Sequence, residues 1–453
     1  MAFELTEISS LPDAHVQRWS RSANSGEQLA LGFRLPRYWQ KHAAEDRLVA
    51  VYELQANGAI HFIVCEAEAY ATQVDAETKA LPALAGQMAS EVFGTDRTLA
   101  LQPVHIPKPW GEEIWYTGME DRGVALAGHA DRAIPLPWVL SALPSALCSH
   151  RERDLMLLKI LAPKPQEVFG DLYFELHEKK REVYVVTAVD SSAWPDGVGA
   201  IRFGFDAGRR QAFSSDEAFR SAFLQAVKDY EKVRREIDAL LDKRAGDDVA
   251  ARELLMAQLP EQLIAREEEL RASMNAFTAL MPLQPGDVVK VPTHTPHALQ
   301  HGVRTIEFQT PVYERLIVAF AQKVLTQPHW DTDAAIAKMQ LDTPEQPPSE
   351  CLLDDGGVRV ERIVDFADFE VHRYVVQPGS AFELPSPDQY SVIIVIQGVL
   401  PLAECGLGPE QALLVPNTHP AMSLHYQAEA LAGQTLIFLV GYPAPPVDEK
   451  RTG

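Results

Sequence analysis

Two carboxylates and an imidazole stand close together in one short segment, Gly170-x4-Glu175-x-His177-x4-Glu182. Residues two apart on a β-strand project from the same face, so Glu175 and His177 share a face. The polar run Glu178-Lys179-Lys180-Arg181 then reverses the chain into Val183-Tyr-Val-Val-Thr-Ala-Val, which can bring Glu182 back beside that face. Far downstream, Gly286-x5-Pro292-x-His294-x2-His297 sets a histidine just past a strand and a tight turn. Carboxylate and imidazole are ligand types for a divalent cation. Taken alone, Glu175 and His177 are equally consistent with a polar strand face on a hairpin.

The elements that must hold these residues are mostly short strands. Leu48-Val-Ala-Val-Tyr-Glu-Leu and Ala59-Ile-His-Phe-Ile-Val flank Ala56-Asn-Gly, the pattern of a hairpin. From about 100 to 212, β runs alternate with Pro and Gly, as in Pro107-Lys-Pro-Trp-Gly-Glu-Glu-Ile-Trp115. The period then changes. Ser214-x-x-Glu217 forms a capping box, and Phe219, Phe223, Val227, Tyr230, Val233, Ile237 and Leu241 recur at helical spacing. A second helical stretch at 247–280 places Glu267, Arg252, Arg266 and Arg271 on solvated faces. Strand character resumes at Gly286-Asp-Val-Val-Lys-Val-Pro292, which makes residues 214–280 a helical insertion in a β domain. Residues 320–345 read as helical and Thr343-Pro-Glu-Gln-Pro-Pro-Ser349 as a linker. More short strands follow, at Val358-Arg-Val-Glu-Arg-Ile-Val, Phe369-Glu-Val-His-Arg-Tyr-Val-Val, Ser391-Val-Ile-Ile-Val-Ile-Gln-Gly and Thr435-Leu-Ile-Phe-Leu-Val-Gly. The expected class is mainly β, a barrel or sandwich.

Composition bounds the function. The 453 residues suggest about three domains. With 63 acidic against 41 basic residues the net charge is −22, which opposes binding to nucleic acid or an anionic membrane. A bound phosphate would need a local basic pocket. Cys65, Cys148, Cys351 and Cys405 form no CxxC pair, so free thiols in a reducing compartment are expected. The first residues, Met1-Ala-Phe-Glu-Leu-Thr-Glu, show neither a basic nor an apolar leader pattern, and no stretch is long enough to span a bilayer. A cytoplasmic protein is the expectation.

The two polar segments resemble the metal-binding motifs of the cupin superfamily, Gly-x5-His-x-His-x3,4-Glu-x6-Gly and Gly-x5-Pro-x-Gly-x2-His-x3-Asn. Here Glu175 replaces the first histidine, His294 the second motif's glycine and His301 its asparagine. The match implies Glu175, His177, Glu182 and His297 as ligands, a set suited to catalytic Zn2+ and also to Mn2+ or Fe2+. Within the cupins, Pro107 to Trp115, Lys180-Arg-Glu182-Val-Tyr-Val-Val, and Leu283-Gln-Pro-Gly-Asp-Val-Val-Lys-Val-Pro-Thr-His-Thr-Pro-His-Ala-Leu299 resemble type I mannose-6-phosphate isomerase over about 100–440. That family has a helical insertion and a second, metal-free cupin domain. The resemblance implies a bicupin: residues 101–345 a metal-binding cupin with the insertion, 350–453 a metal-free cupin, and 1–100 a β-rich region of unknown role. It also implies aldose–ketose isomerisation of a sugar phosphate. His177, Glu182 and His297 fall on zinc ligands, Glu175 on a glutamine ligand, and Lys180 on a lysine near the phosphate.

The chain departs from the family where His177 runs almost directly into Lys180, and again at Tyr313-Glu-Arg-Leu-Ile-Val-Ala. His294 and His301 read as pocket-rim or surface residues, Trp110 and Trp115 as packing, and Arg304 and Arg315 as surface salt-bridge partners. On a short hairpin Lys180 points to solvent. His419 mimics a second motif two without a His-x-His partner. The rival reading is a non-catalytic sugar-binding or regulatory cupin that retains the metal. A third is Fe2+-dependent oxidation.

Overall fold

Local signals are realised with small shifts. The computed structural model describes residues 4–74, 80–148, 155–402, 406–427 and 434–444. The Asn-Gly hairpin joins antiparallel strands Glu45–Leu54 and Ile60–Glu66, with Gly58 at φ +85° in its turn. The helical run begins one residue later than the capping box: Ser215, not Ser214, accepts the Ala218 N–H at 3.2 Å. The helix Asp216–Ala245 buries the apolar stripe from Phe219 to Leu241 and stops at Gly246, φ +55°. Helices Val249–Met256 and Glu261–Asn275 follow.

Two polar residues expected on solvated faces are buried. Arg252 pairs with Asp238 and Asp242, and Glu267 accepts from the Tyr230 hydroxyl at 2.8 Å and from Arg271. Periodicity shows where the apolar stripe lies, yet the packing of one helix on the next hides polar positions that find a partner. Between 320 and 345 only Thr332–Lys338 is helical, because Pro328 stands in the way of a longer run. The four C-terminal runs form Val358–Asp365, Phe369–Val376, Ser391–Gln397 and Leu436–Pro443.

The chain divides into two compact units, residues 1–105, 115–159 and 348–453, and residues 106–114 and 160–347. In the first, the strand Leu99–Gln102 pairs with Ala412–Val415 inside a nine-stranded sheet, so pairing runs across the boundary read near residue 100. A five-stranded sheet of residues 5–94 has its own core, including Val49, Val51, Ile63 and Leu84.

The second unit is mainly β with the helices packed on it. One sheet includes, side by side, Val288–Val291, Glu182–Val189 and Val303–Gln309; the other orders Thr278–Leu283, Gly199–Phe205, His297–Leu299, Phe174–Leu176 and Leu316–Ala319. One hydrophobic cluster joins both sheets and the long helix: Tyr184 and Val289 from the first, Phe203 and Ile317 from the second, Phe223 and Tyr230 from the helix. Each sheet is open rather than closed on itself. Trp110 and Trp115 are buried, as packing residues are. Among the described residues no helix is long and apolar enough to cross a membrane. Cys65 and Cys148 are buried free thiols and Cys351 is an exposed one; Cys405 lies outside the described residues.

Candidate metal centre

Strand register assembles the cluster. Phe174–Leu176 lies antiparallel between His297–Leu299 and Leu316–Ala319, which sets Glu175 directly opposite His297. His177 follows at the strand end, and the turn after it returns Glu182 at the first residue of the neighbouring sheet's strand. The two polar motifs are also tied through backbone, the His294 N–H donating to the His177 carbonyl at 2.6 Å. His294 adopts φ +63°, the left-handed region that the glycine of the cupin motif would enter freely.

Glu175, His177 and His297 bring donor atoms within 4.8 Å of one another. Glu182 Oε2 lies 3.1 Å from His297 Nε2 and 3.4 Å from His177 Nε2, and Glu175 Oε1 lies 3.8 Å from His177 Nε2. Two ligands each about 2.0–2.1 Å from a tetrahedral ion are separated by roughly 3.3–3.4 Å, so these spacings match a coordination shell. His177, Glu182 and His297 are almost wholly buried.

The hydrogen bonds orient both imidazoles. His177 Nδ1 is 2.8 Å from the Glu314 carbonyl and His297 Nδ1 is 2.9 Å from the Thr295 carbonyl. A carbonyl only accepts, so each Nδ1 carries a proton and each ring turns its Nε2 toward a carboxylate. A lone pair facing an anion is stable only with a cation or a proton between them. Glu175 Oε2 and His177 Nε2 are buried without a hydrogen bond. This donor set fits a divalent metal.

The charges respond accordingly. Burial pushes His177 below its ordinary pKa, aided by the Lys180 ammonium. Burial would raise Glu182, but Lys180 and the imidazoles outweigh it and hold the carboxyl well below the usual range. Burial also works against protonated His297, yet its hydrogen bond and attraction to Glu182 leave its pKa raised.

The basic residues sort themselves. Lys180 is buried rather than directed to solvent, its Nζ 2.5 Å from Glu182 Oε1. Arg315, read as a surface residue, lies 3.7 Å from Glu175 Oε2 and 4.4 Å over the Tyr173 ring. Arg304 is opposite Ala188, six residues along the strand from Glu182 and so about 20 Å from it. His301 is a packing residue: it bonds Asp171 at 2.8 Å and stacks on Trp194.

Two residues escaped the sequence reading. Tyr184 donates to Glu182 Oε2 at 2.8 Å; its place two residues along the same strand was the available signal. Glu314 grips the turn after His177, its carboxylate accepting from the Glu178 N–H at 2.8 Å and the Lys179 N–H at 3.1 Å. No local pattern announces a contact 136 residues apart.

No family model and no curated protein matches this sequence. Solved structures do match its fold. Mannose 6-phosphate isomerase from Bacillus subtilis is 14% identical with a TM-score of 0.51, over 76% of this chain and 99% of that one. An arginine-to-alanine mutant of phosphomannose isomerase from Salmonella typhimurium is 12% identical with a TM-score of 0.52, again over 76% and 99%. The likeness is one of fold.

Proposed function

We propose that the chain is a metal-dependent aldose–ketose isomerase acting on a sugar phosphate in the cytoplasm, built as a bicupin whose metal-bearing half is residues 101–345 and whose metal-free half is residues 350–453. The observation that carries this reading is the cluster of Glu175, His177 and His297, whose donor atoms lie within 4.8 Å of one another with orphaned atoms on Glu175 and His177, and with Glu182 at 3.4 and 3.1 Å from the two imidazoles. Those four side chains are the ligands. Zn2+ suits the set best, with Mn2+ or Fe2+ as substitutes.

A divalent cation held there would polarise the substrate's carbonyl and hydroxyl oxygens while a base moves a proton between C1 and C2. The chain's own residues fix the geometry. Tyr184 and Lys180 hold opposite oxygens of Glu182, while the Glu314 and Thr295 carbonyls set the two rings. Lys180 and Arg315 are the cations beside the cluster and would meet the substrate's phosphate, which an acidic chain needs to attract locally. Substrate orientation rather than proton abstraction is the role assigned to Lys180.

One observation favours the rival, a sugar-binding protein that keeps the metal without turnover: Lys180 is buried and already occupied by Glu182. Two measurements decide. Elemental analysis should find about one zinc, manganese or iron per chain, and NMR should follow interconversion of mannose 6-phosphate and fructose 6-phosphate that stops on chelation. Metal without turnover selects the rival; no metal at all removes both readings.

A further inference from the structure

The first unit contains a cavity of about 790 Å3 that shares no residue with the carboxylate–imidazole cluster. It opens on the Val358–Asp365 and Phe369–Val376 strands, beside Ala381–Leu384 and the end of Leu436–Pro443. Its size is that of a small-molecule site, for which about 300–1,000 Å3 is usual.

The lining is aromatic and acidic. Phe366, Phe369, Tyr374, Phe382, Tyr390 and Tyr442 supply rings; Asp355, Asp365, Glu370, Glu383 and Asp388 supply carboxylates. No lysine or arginine lines it. Arg362, outside the lining, lies 3.4 Å from both Asp365 and Glu370 and balances part of that charge. Asp355 accepts backbone N–H groups from Gly357 and Val358, and among the described residues Glu383 and Asp388 have no cationic partner. The wall therefore keeps an excess of negative charge beside aromatic side chains.

We propose that this cavity is a second small-molecule site, selective for an organic cation with an apolar body, such as an ammonium on a hydrocarbon or aromatic frame. Ring quadrupoles and carboxylates act in the same direction: both attract a cation, and both repel a phosphate. The apolar body fills the aromatic wall while the charged end remains near Glu383 and Asp388, where water still reaches. A sugar phosphate is refused by the same charges, so this site is not a second copy of the proposed isomerase pocket and does not depend on that reading.

Calorimetric titration of the full chain with three probes tests the proposal: benzyltrimethylammonium, neutral benzyl alcohol and phenyl phosphate. The ammonium should bind about tenfold tighter than the alcohol, and phenyl phosphate should not bind at this site. The double variant Glu383→Gln, Asp388→Asn changes two exposed side chains and should weaken the ammonium by about threefold or more at low salt, with Tyr442→Ala weakening ammonium and alcohol alike. Equal affinity for ammonium and alcohol, tightest binding of phenyl phosphate to this site, no measurable binding of the ammonium, or ammonium affinity unchanged in both variants would each overturn it.

Discussion

Replacing Glu314 by alanine tests how the His177 turn is held. The substitution keeps the Glu314 carbonyl, which receives His177 Nδ1 at 2.8 Å, and removes the carboxylate that accepts from Glu178 and Lys179. A hydrogen bond to a charged group contributes about 1.5–3 kcal/mol. Lys179 is exposed and Glu178 half-buried, so water can replace the lost acceptor and the loss should fall near the lower end for the pair, about 2 kcal/mol. The turn then loosens between two proposed ligands, His177 and Glu182, whose Nε2 and Oε2 atoms are 3.4 Å apart. Groups that orient metal ligands typically alter affinity by about 10–100-fold, and the retained carbonyl places this case near tenfold. Zinc affinity measured by competition with a chromophoric chelator, with urea denaturation alongside, separates the two effects. Glu314→Gln, which keeps one acceptor oxygen, should recover part of both. Unchanged zinc affinity in Glu314→Ala would refute the clamp, and an unchanged midpoint would refute the hydrogen-bond estimate.

The other predictions concern the ligands, the core and the thiols. His297→Ala should lose most bound metal, whereas Glu175→Gln should retain it with modestly weaker affinity, as metal analysis of both purified variants will show; full occupancy in His297→Ala would mean that the ligands are misassigned. Phe223, fully buried against Phe174, Phe205 and Phe277, should cost about 3–5 kcal/mol when cut to alanine, read as a lowered denaturation midpoint. Burial raises the Cys65 thiol to about 12, so between pH 7 and 9 it stays protonated and unalkylated in the folded chain, while exposed Cys351 is modified; mass spectrometry after iodoacetamide treatment distinguishes them.

Much of the architecture follows from short-range pattern. Alternation and turn residues mark the Asn-Gly hairpin and the four C-terminal strands, and 3.6-residue periodicity marks the long helix, because these signals depend on neighbours a few positions away. Glu175, His177 and Glu182 were legible for the same reason, being held within one short segment. Their juxtaposition with His297 was implied by motif resemblance and realised by strand register, Glu175 against His297. Other features depend on contacts that no local pattern encodes. The direction of Lys180 was decided by Glu182, which gave a buried ammonium a partner; the burial of Arg252 by the facing helix; and the clamp of Glu314 on the His177 turn by a strand that returns from far along the chain. Sequence determines which residue types can coordinate, pair or pack, because that is their covalent chemistry. Which of them meet is a property of the register and packing of distant segments, and here only the tertiary structure decided it.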